Sequence, residues 1–199
     1  TPGRAYAVAV DNSYAYVAVD DQGLMIINLM TPNRPQIVGL VDTPGRAYGV
    51  YVNYPYAYVA DNDAGLQIVD VSDRTHPQII GNTNTDGYAN DVYVNGSYAY
   101  IADDKGGIKV IDVSSPTNPR IVAKLPLPST AYAVYVSGNY AYVADYAAGL
   151  QVVDISNPLK PFLAGVAPTQ GFAKCVYVKN DLAYVAANNL GLQITQAMK

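Results

Sequence analysis

A repeat of 42 residues runs through the chain and constrains its fold more than any other feature. The tripeptide Tyr-Val/Ile-Ala returns at this spacing, and a Gly-Leu/Ile pair follows it at a constant distance. The repeated tyrosines are Tyr16, Tyr58, Tyr100, Tyr142 and Tyr184, and the repeated glycines are Gly23, Gly65, Gly107, Gly149 and Gly191. A fixed period of this length is typical of propellers, solenoids and other arrays of one supersecondary unit.

The repeat unit at residues 43–84 predicts four short strands. Its four β-rich stretches are separated by segments rich in Pro, Gly, Asp and Asn, which are typical of turns. These stretches are residues 47–52, 56–60 and 66–71, and a last one that begins at residue 78. Four strands in such a unit form one blade of a β-propeller, and the absence of helical periodicity argues against helical repeats.

We therefore predict an all-β fold, a β-propeller of five 42-residue four-stranded blades in a single domain over residues 1–199. The approximate blades are residues 1–42, 43–84, 85–126, 127–168 and 169–199, and the fifth lacks its last strand. A closed five-blade ring and a monomer are favoured, because an open arc exposes an apolar blade face. The alternatives are an arc of a larger ring, completed by a partner or by further sequence, and self-association in which another copy supplies the missing strand of blade five.

Three segments resemble a known repeat family. Gly-Leu-Gln-Ile-Val-Asp-Val-Ser at residues 65–72 has close counterparts at 107–114 and 149–156, and each follows a Tyr-Val/Ile-Ala-Asp segment. A Pro-x-x-Pro segment follows the last two, at Pro116/Pro119 and Pro158/Pro161. Nearly the whole chain resembles the LVIVD repeat, although the third strands of the first and last repeats depart from it. The resemblance implies a β-propeller, often in prokaryotic proteins that are secreted or attached to the cell surface, and it carries no catalytic motif.

The composition narrows the function classes. Charged residues make up only 14% of the chain, the net charge is −4, and no cluster of Lys and Arg occurs, so nucleic acid is not an expected partner. No apolar run reaches the length of a membrane helix, so membrane insertion is not expected. One histidine and few charges leave little acid–base machinery, so we expect no enzyme activity and no cofactor.

The tyrosines divide into packing and site candidates. Of the 19 tyrosines, thirteen recur in register, which favours packing between blades because aromatic rings bury large areas. Tyr6, Tyr48 and Tyr132 share one position at the start of the first strand of their blades, and we predict that they lie at one mouth of the central channel. An aromatic mouth is suited to stacking a sugar ring or gripping a peptide, and a packed lid is the equal alternative.

Residues that break the internal repeat are better site candidates than those that keep it, because packing does not require them. Asn90 and Lys174 occupy the position of the three mouth tyrosines, and Asp91 and Cys175 occupy the next one, where other blades have Ala or Gly. Cys175 is interpreted as a small packed residue. The predicted ligand-binding set is Tyr6, Tyr48, Tyr132, Asn90, Asp91, Lys174, Arg4, Arg46 and Tyr88. The alternative is a mouth whose charges are solvated or paired with one another.

Aspartates recur at two further positions. The loops between the second and third strands are acidic, and their weak calcium candidates are Asp61, Asp63, Asp103 and Asp104. Turns closed by their own side chains are the favoured role for these residues, and we expect no metal site. A second set is predicted to hydrogen-bond the loop that follows the third strand, and it comprises Asp70, Asp112 and Asp154.

These patterns support three functional hypotheses. The first is a non-enzymatic module that binds protein or carbohydrate at the loop face around the channel mouth, outside the cell or at its surface. The second is a structural or assembly segment of a larger propeller or oligomer. The third, an enzyme with a site at the channel mouth, is the weakest. The fold does not choose among them, because propellers serve all three purposes.

Overall fold

The computed structural model describes residues 3–198, and its regular secondary structure is almost entirely short strands joined by turns and loops. Strands of the first two blades are β1 (Ala5–Asp11), β2 (Tyr14–Val19), β3 (Gly23–Asn28), β4 (Gln36–Val41), β5 (Gly49–Asn53), β6 (Tyr56–Ala60), β7 (Leu66–Asp70) and β8 (Gln78–Thr83). Those of the third and fourth are β9 (Asp91–Asn95), β10 (Tyr98–Ala102), β11 (Ile108–Asp112), β12 (Arg120–Leu125), β13 (Ala133–Ser137), β14 (Tyr140–Ala144), β15 (Leu150–Asp154) and β16 (Phe162–Ala167).

The fifth blade contains β17 (Cys175–Lys179), β18 (Leu182–Ala186) and β19 (Leu192–Gln196), with a 3-10 helix at Asn188–Leu190 before its last strand. Every blade is an antiparallel sheet whose strands follow chain order, four in each of the first four blades and three in the fifth. The predicted five-blade propeller with a three-stranded last blade is therefore confirmed. Within the described chain, no helix is long and apolar enough to cross a membrane.

The apolar core lies between the blades. Tyr16, Leu24 and Ile26 on one face of the first blade pack against Val50 and Val59 on the facing side of the second. Equivalent residues pack at the next three joints. The tyrosines at the centre of these joints are Tyr16, Tyr58, Tyr100 and Tyr142, and all four are buried. The packing role predicted for these four tyrosines is confirmed. Burial of one large apolar side chain stabilises the folded state by about 1.5–3 kcal/mol.

Backbone hydrogen bonds reinforce the same four joints. In the first, the N–H of Ala47 donates to the carbonyl of Asp20 at 2.8 Å. The same antiparallel bridge recurs at each following joint, and the four bridges are Asp20–Ala47, Asn62–Ala89, Asp104–Ala131 and Tyr146–Ala173. Each blade is thus joined to the next by apolar packing and by main-chain hydrogen bonds.

The joint between blade five and blade one differs from the other four. Val8 is 63% exposed, whereas its repeat equivalent Val50 is 8% exposed. Leu192 is 62% exposed, whereas its equivalent Leu66 is fully buried. Within residues 3–198, no hydrophobic cluster and no backbone bridge connects the two blades. The expected packing of blade five against blade one is therefore not present, and we call this region the open joint.

Buried carboxylates tie the loops of the inner blades together. Asp61, on the loop after β6, accepts hydrogen bonds from the Thr43 hydroxyl at 2.6 Å and from the Gly45 N–H at 2.9 Å. Asp103 accepts from the Thr85 hydroxyl and lies 3.0 Å from the Lys109 ammonium. The prediction that Asp61 and Asp103 close turns of their own loops is wrong, because these side chains reach the segment that precedes the first strand of their blade.

Asp145 occupies the same repeat position in the fourth blade with fewer partners. The N–H of Ser129 donates to one of its oxygens at 3.1 Å. Leu127 stands where Thr43 and Thr85 stand in earlier blades, and the other oxygen of Asp145 has no hydrogen-bond partner among the described residues. Burial raises the pKa of Asp145 to about 6. The missing hydroxyl thus leaves one buried carboxylate oxygen of this loop without a hydrogen bond.

The aspartates that end the third strands act as predicted. The Asp70 carboxylate accepts a hydrogen bond from the N–H of Ser72 at 2.8 Å. Asp112 and Asp154 accept equivalent bonds from Ser114 and Ser156 at 2.9 and 2.8 Å. These contacts fix the start of the loop that leads to the fourth strand.

We predict that Thr43→Val lowers the free energy of unfolding by about 1–3 kcal/mol, because it removes one hydrogen bond from the buried Asp61 carboxylate. Urea unfolding measures the effect. Thr169→Val is the matched control, since Thr169 has the same repeat position but its hydroxyl donates to the carbonyl of Gly171 instead of to an aspartate. Equal losses in the two variants would contradict the role of the carboxylate.

Candidate functional site

The first strands of the five blades surround one channel. β1, β5, β9, β13 and β17 contact one another in this order, so their first residues form two stacked sets at one mouth. These residues enclose a cavity of about 350 Å³. Its lining consists of Tyr6, Ala7, Tyr48, Asn90, Asp91, Tyr132, Ala133, Lys174 and Cys175. The structure therefore brings six of the nine predicted site residues together from all five blades.

Aromatic rings form two groups around the mouth. The rings of Tyr6 and Tyr48 lie 4.5 Å apart between centroids and are tilted by 47°. On the other side, Tyr132 lies 5.4 Å from Tyr146, which stacks on Phe172 at 4.2 Å. Tyr6 is 47% exposed, and Tyr48 and Tyr132 are half-buried, so ring surface remains open to a ligand.

Sequence reasoning did not select Tyr146 and Phe172. Tyr146 stands on the loop after β14, where the other blades have Asp or Asn, and it has a positive φ of 43°. Phe172 occupies the repeat position of Arg4, Arg46 and Tyr88. Both break the internal repeat, so the same signal that selected Lys174 was present for them.

Lys174 is fixed by the aromatic group. Its ammonium lies 3.3 Å from the centroid of the Tyr132 ring and 4.7 Å from that of Tyr146. Cation–π contacts of this kind hold an ammonium without neutralising it. Lys174 therefore presents a positive charge at a defined place in the cavity, and among the described lining residues it is the only cation.

Asp91 is the only carboxylate in this lining. One of its oxygens accepts from the N–H of Val92 at 2.9 Å, and the other accepts from the N–H of Val134 in the next blade at 3.0 Å. Burial raises the pKa of Asp91 to about 6, and the two backbone donors oppose that shift. A side chain at Gly49 would place its Cβ 2.7 Å from the Asp91 Cα, so glycine is needed beside it.

Asn90 and Cys175 complete the polar part of the lining. The Asn90 amide donates to the carbonyl of Ala131 in the next blade at 2.9 Å, which fixes its orientation. The prediction that Cys175 is a packed residue is wrong, because its side chain faces the channel and is exposed. The walls of the channel partly desolvate the Cys175 thiol, and this desolvation, together with the charge of Asp91, raises its pKa. The raised pKa disfavours the reactive thiolate.

Three predicted residues do not line the cavity. Arg4 and Arg46 are exposed, and the Arg46 guanidinium lies 4.0 Å from the Asp20 carboxylate. Tyr88 is 53% exposed and lies outside the lining. The calcium candidates do not form a site either, since Asp61 and Asp103 are turned inwards. Among residues 3–198, no group of three or more His, Cys, Asp or Glu side chains is placed to hold a metal ion.

Further along the channel, a second aromatic set connects four blades. Tyr51 lies 4.7 Å from Tyr93, Tyr93 lies 5.0 Å from Tyr135, and Tyr135 lies 5.1 Å from Tyr177. Blade one has Ala9 at this position, so the row ends at the open joint, where Tyr177 is 49% exposed. This set packs along the channel wall.

We predict that Asp91→Asn removes part of the pH dependence of stability. The raised pKa of Asp91, about 6, means that the folded protein binds more protons than the unfolded chain. The contribution of Asp91 to stability is therefore present at low pH and is lost as pH rises from about 4, the usual aspartate value, towards the folded pKa. Urea unfolding across a pH series checks this, with Asp63→Asn at an exposed loop position as the control for lost charge. An unchanged slope in Asp91→Asn would contradict the prediction.

Solved structures similar to this fold include two computationally designed proteins and a natural beta-propeller domain. The computationally designed Ika8 protein matches with a TM-score of 0.78 and 12% identity, over 97% of this chain and 58% of its own. The Cps50 (Swd1) beta-propeller domain of Myceliophteria thermophila matches with a TM-score of 0.75 and 11% identity, over 96% of this chain and 70% of its own. The computationally designed Ika4 protein matches with a TM-score of 0.67 and 13% identity, over 82% of this chain and 98% of its own. At these identities the likeness shows the fold alone, and the chain spans little more than half the length of Ika8.

The family comparison identifies the repeat itself. No curated protein matches the sequence at a significant level. The family model of the LVIVD repeat matches five times, at residues 2–43, 44–85, 86–125, 129–169 and 170–195. These matches cover nearly the whole chain, and each contains one blade of the structure. The protein belongs to the LVIVD-repeat family, and its repeats are the blades of a β-propeller.

Proposed function

We propose that the protein is a non-enzymatic binding module that holds a protein segment or a carbohydrate in the cavity at the channel mouth. The observation that carries this proposal is the cavity of about 350 Å³ in which tyrosine rings, one ammonium and one carboxylate converge from all five blades. Binding sites are typically concave and largely apolar, with a few fixed polar groups that orient the ligand.

The lining is suited to a ligand with both apolar and polar surface. Tyr6, Tyr48 and Tyr132 offer ring faces that stack on a sugar ring or on the side chains of a peptide. Lys174 is held above Tyr132 and offers three N–H donors, while the Asn90 amide is fixed by the next blade. This combination of flat apolar surface with fixed donors favours recognition of a neutral or acidic ligand.

The same contacts make acid–base catalysis the weaker proposal. Both oxygens of Asp91 already accept hydrogen bonds from backbone N–H groups, so the carboxylate is held as a structural acceptor between two blades. The Cys175 thiol has a raised pKa, and nucleophilic chemistry requires the thiolate. Binding without chemical conversion accounts for the arrangement with fewer assumptions.

We predict that Tyr48→Ala combined with Tyr132→Ala weakens ligand binding by about tenfold or more, because two stacking surfaces are lost. A carbohydrate array and a displayed peptide library identify ligands of the unmodified protein, and isothermal titration calorimetry then compares the variants. The melting temperature should change little, since both rings are only half-buried.

Tyr54→Ala is the matched control for this experiment. Tyr54 is 49% exposed and lies in the turn after β5, at the end of the blade opposite the mouth, so its removal should leave binding unchanged. A large fall in melting temperature in the double variant would show that Tyr48 and Tyr132 serve packing. Full binding by the double variant would place the ligand elsewhere.

A further inference from the structure

The ammonium of Lys174 has no anionic partner within the described part of the molecule. None of the ion pairs among residues 3–198 includes it. Its close neighbours are the rings of Tyr132 and Tyr146, whose centroids lie 3.3 and 4.7 Å away. Such rings attract a cation without neutralising its charge. An anionic group of a ligand would supply the partner that this ammonium lacks.

The rings beside Lys174 are themselves fixed in place. Tyr146 stacks on Phe172 with 4.2 Å between the ring centroids and only 10° between the ring planes. Lys174 and Tyr146 both depart from the internal repeat, and ordinary blade packing requires neither of them. Two departures from the repeat therefore meet at one place, and together they hold a positive charge at the mouth.

Asp91 does not compensate this charge. It belongs to the inner of the two stacked sets, one residue further along the first strand than the outer set. The outer set consists of Tyr6, Tyr48, Asn90, Tyr132 and Lys174. Both oxygens of Asp91 accept backbone N–H groups, and burial raises the pKa of Asp91 to about 6. The outer set thus carries one positive charge and no negative charge.

A single ammonium matches a ligand group with a single negative charge. Phosphate groups are commonly recognised by arginine in bidentate pairs, and the described lining of the cavity contains no arginine. The net charge of the whole chain is −4, which disfavours a ligand with many negative charges. A carboxylate carries one charge and accepts the short, charge-assisted hydrogen bonds that an ammonium donates. The charge of the mouth therefore favours a carboxylate.

The rest of the outer set is suited to a sugar ring. The ammonium covers one face of Tyr132, so the pair formed by Tyr6 and Tyr48 is the larger open stacking surface. Their flat rings are complementary to the C–H face of a pyranose. The Asn90 amide uses one N–H on the carbonyl of Ala131, which leaves its own carbonyl oxygen for a sugar hydroxyl.

The mouth is less suited to a peptide. Proteins usually hold a peptide along a free sheet edge or in a groove with pockets for its side chains. Among the described lining residues, the only aliphatic side chains are those of Ala7 and Ala133, and alanine cannot form such a pocket. The cavity volume of about 350 Å³ is also at the lower end of the range for small-ligand sites. These properties favour a small cyclic ligand over an extended chain.

We propose that the ligand of the channel mouth is an acidic saccharide, in which the carboxylate of a uronic acid pairs with Lys174 and the sugar ring stacks on Tyr6 and Tyr48. This inference rests on the proposed function, because it names the ligand class of the same cavity. It is also narrower, since a module that binds a neutral sugar or a peptide would fulfil the proposed function and contradict this inference.

Matched ligands test the charge without any change in the protein. Oligomers of galacturonic, glucuronic and mannuronic acid are titrated by calorimetry, each beside its methyl ester, which keeps the ring and removes the charge. At least one acid should bind, and its ester should bind about tenfold or more weakly, because a charge-assisted hydrogen bond is lost. Added salt should weaken binding of the acid and leave binding of the ester unchanged.

Lys174→Met tests the cation, because methionine keeps a long apolar side chain and removes the charge. Affinity for the acid should fall about tenfold or more while affinity for the ester is unchanged, so that the two ligands become equivalent. Lys105→Met is the matched control. Lys105 is exposed on the loop after β10 and lies outside the lining, so its replacement removes one positive charge without touching the cavity. Near-ultraviolet circular dichroism checks that both variants are folded.

Tyr146→Asn tests the positioning of the ammonium. It restores the residue that blades two and five have at this place, and asparagine tolerates the positive φ of 43°. The preference for the acid over its ester should fall about two- to fivefold, because one of the two rings that hold the ammonium is lost. A purely structural role of Tyr146 would change the melting temperature and leave that preference as it is.

A preference for an acid over its ester that is lost in Lys174→Met and kept in Lys105→Met would support the proposal. Equal binding of acid and ester, or a preference that survives in Lys174→Met, would overturn it while binding at the mouth stands. Binding of neutral sugars or peptides alone would also overturn it and leave the proposed function intact. If no saccharide and no peptide bound, this proposal and the proposed function would fail together.

Discussion

Apolar packing between neighbouring sheets is the interaction on which the rest of the structure depends. Each blade is apolar on both faces, so it cannot remove its surface from water alone and needs a neighbour on each side. The buried tyrosine row of Tyr16, Tyr58, Tyr100 and Tyr142 shows this dependence, because each ring lies in the joint between its own blade and the next. The channel, its mouth and the loops take their positions from this stacking.

The buried aspartates of the inner blades have polar partners that differ from blade to blade. The aspartates after the second strands of the inner blades are buried, and the carboxylate of Asp61 is satisfied by a hydroxyl and an N–H group of the same blade. In the third blade, Lys109 stands where the second, fourth and fifth blades have glutamine, and it pairs with Asp103. The aspartate is replaced by Val19 in the first blade and by Ala187 in the last. The end blades therefore differ from the inner ones in their loops as well as in their exposure.

The sequence was sufficient to predict the architecture and most of the mouth. The 42-residue period, the turn residues and the alternation of residue types along each stretch predict the strands directly. The shared repeat position of Tyr6, Tyr48 and Tyr132 places these residues on equivalent strands around one axis. The open joint could not be predicted in this way, because Val8 and Leu192 have the same residue types as their buried equivalents. Whether they meet depends on a small rotation between blades that accumulates around the turn. Tyr146 and Phe172 also break the repeat, but that signal alone does not place them at the mouth, because their contacts with Tyr132 depend on loop geometry.

The row of tyrosines along the channel wall has a spectroscopic consequence. The chain contains no tryptophan, so the near-ultraviolet circular dichroism and the intrinsic fluorescence of the folded protein arise mainly from its tyrosines. Tyr51, Tyr93, Tyr135 and Tyr177 lie within 4.7–5.1 Å of their neighbours, a distance at which ring transitions couple and excitation passes between rings. The near-ultraviolet signal of these four coupled rings therefore depends on the angles between the four blades that carry them.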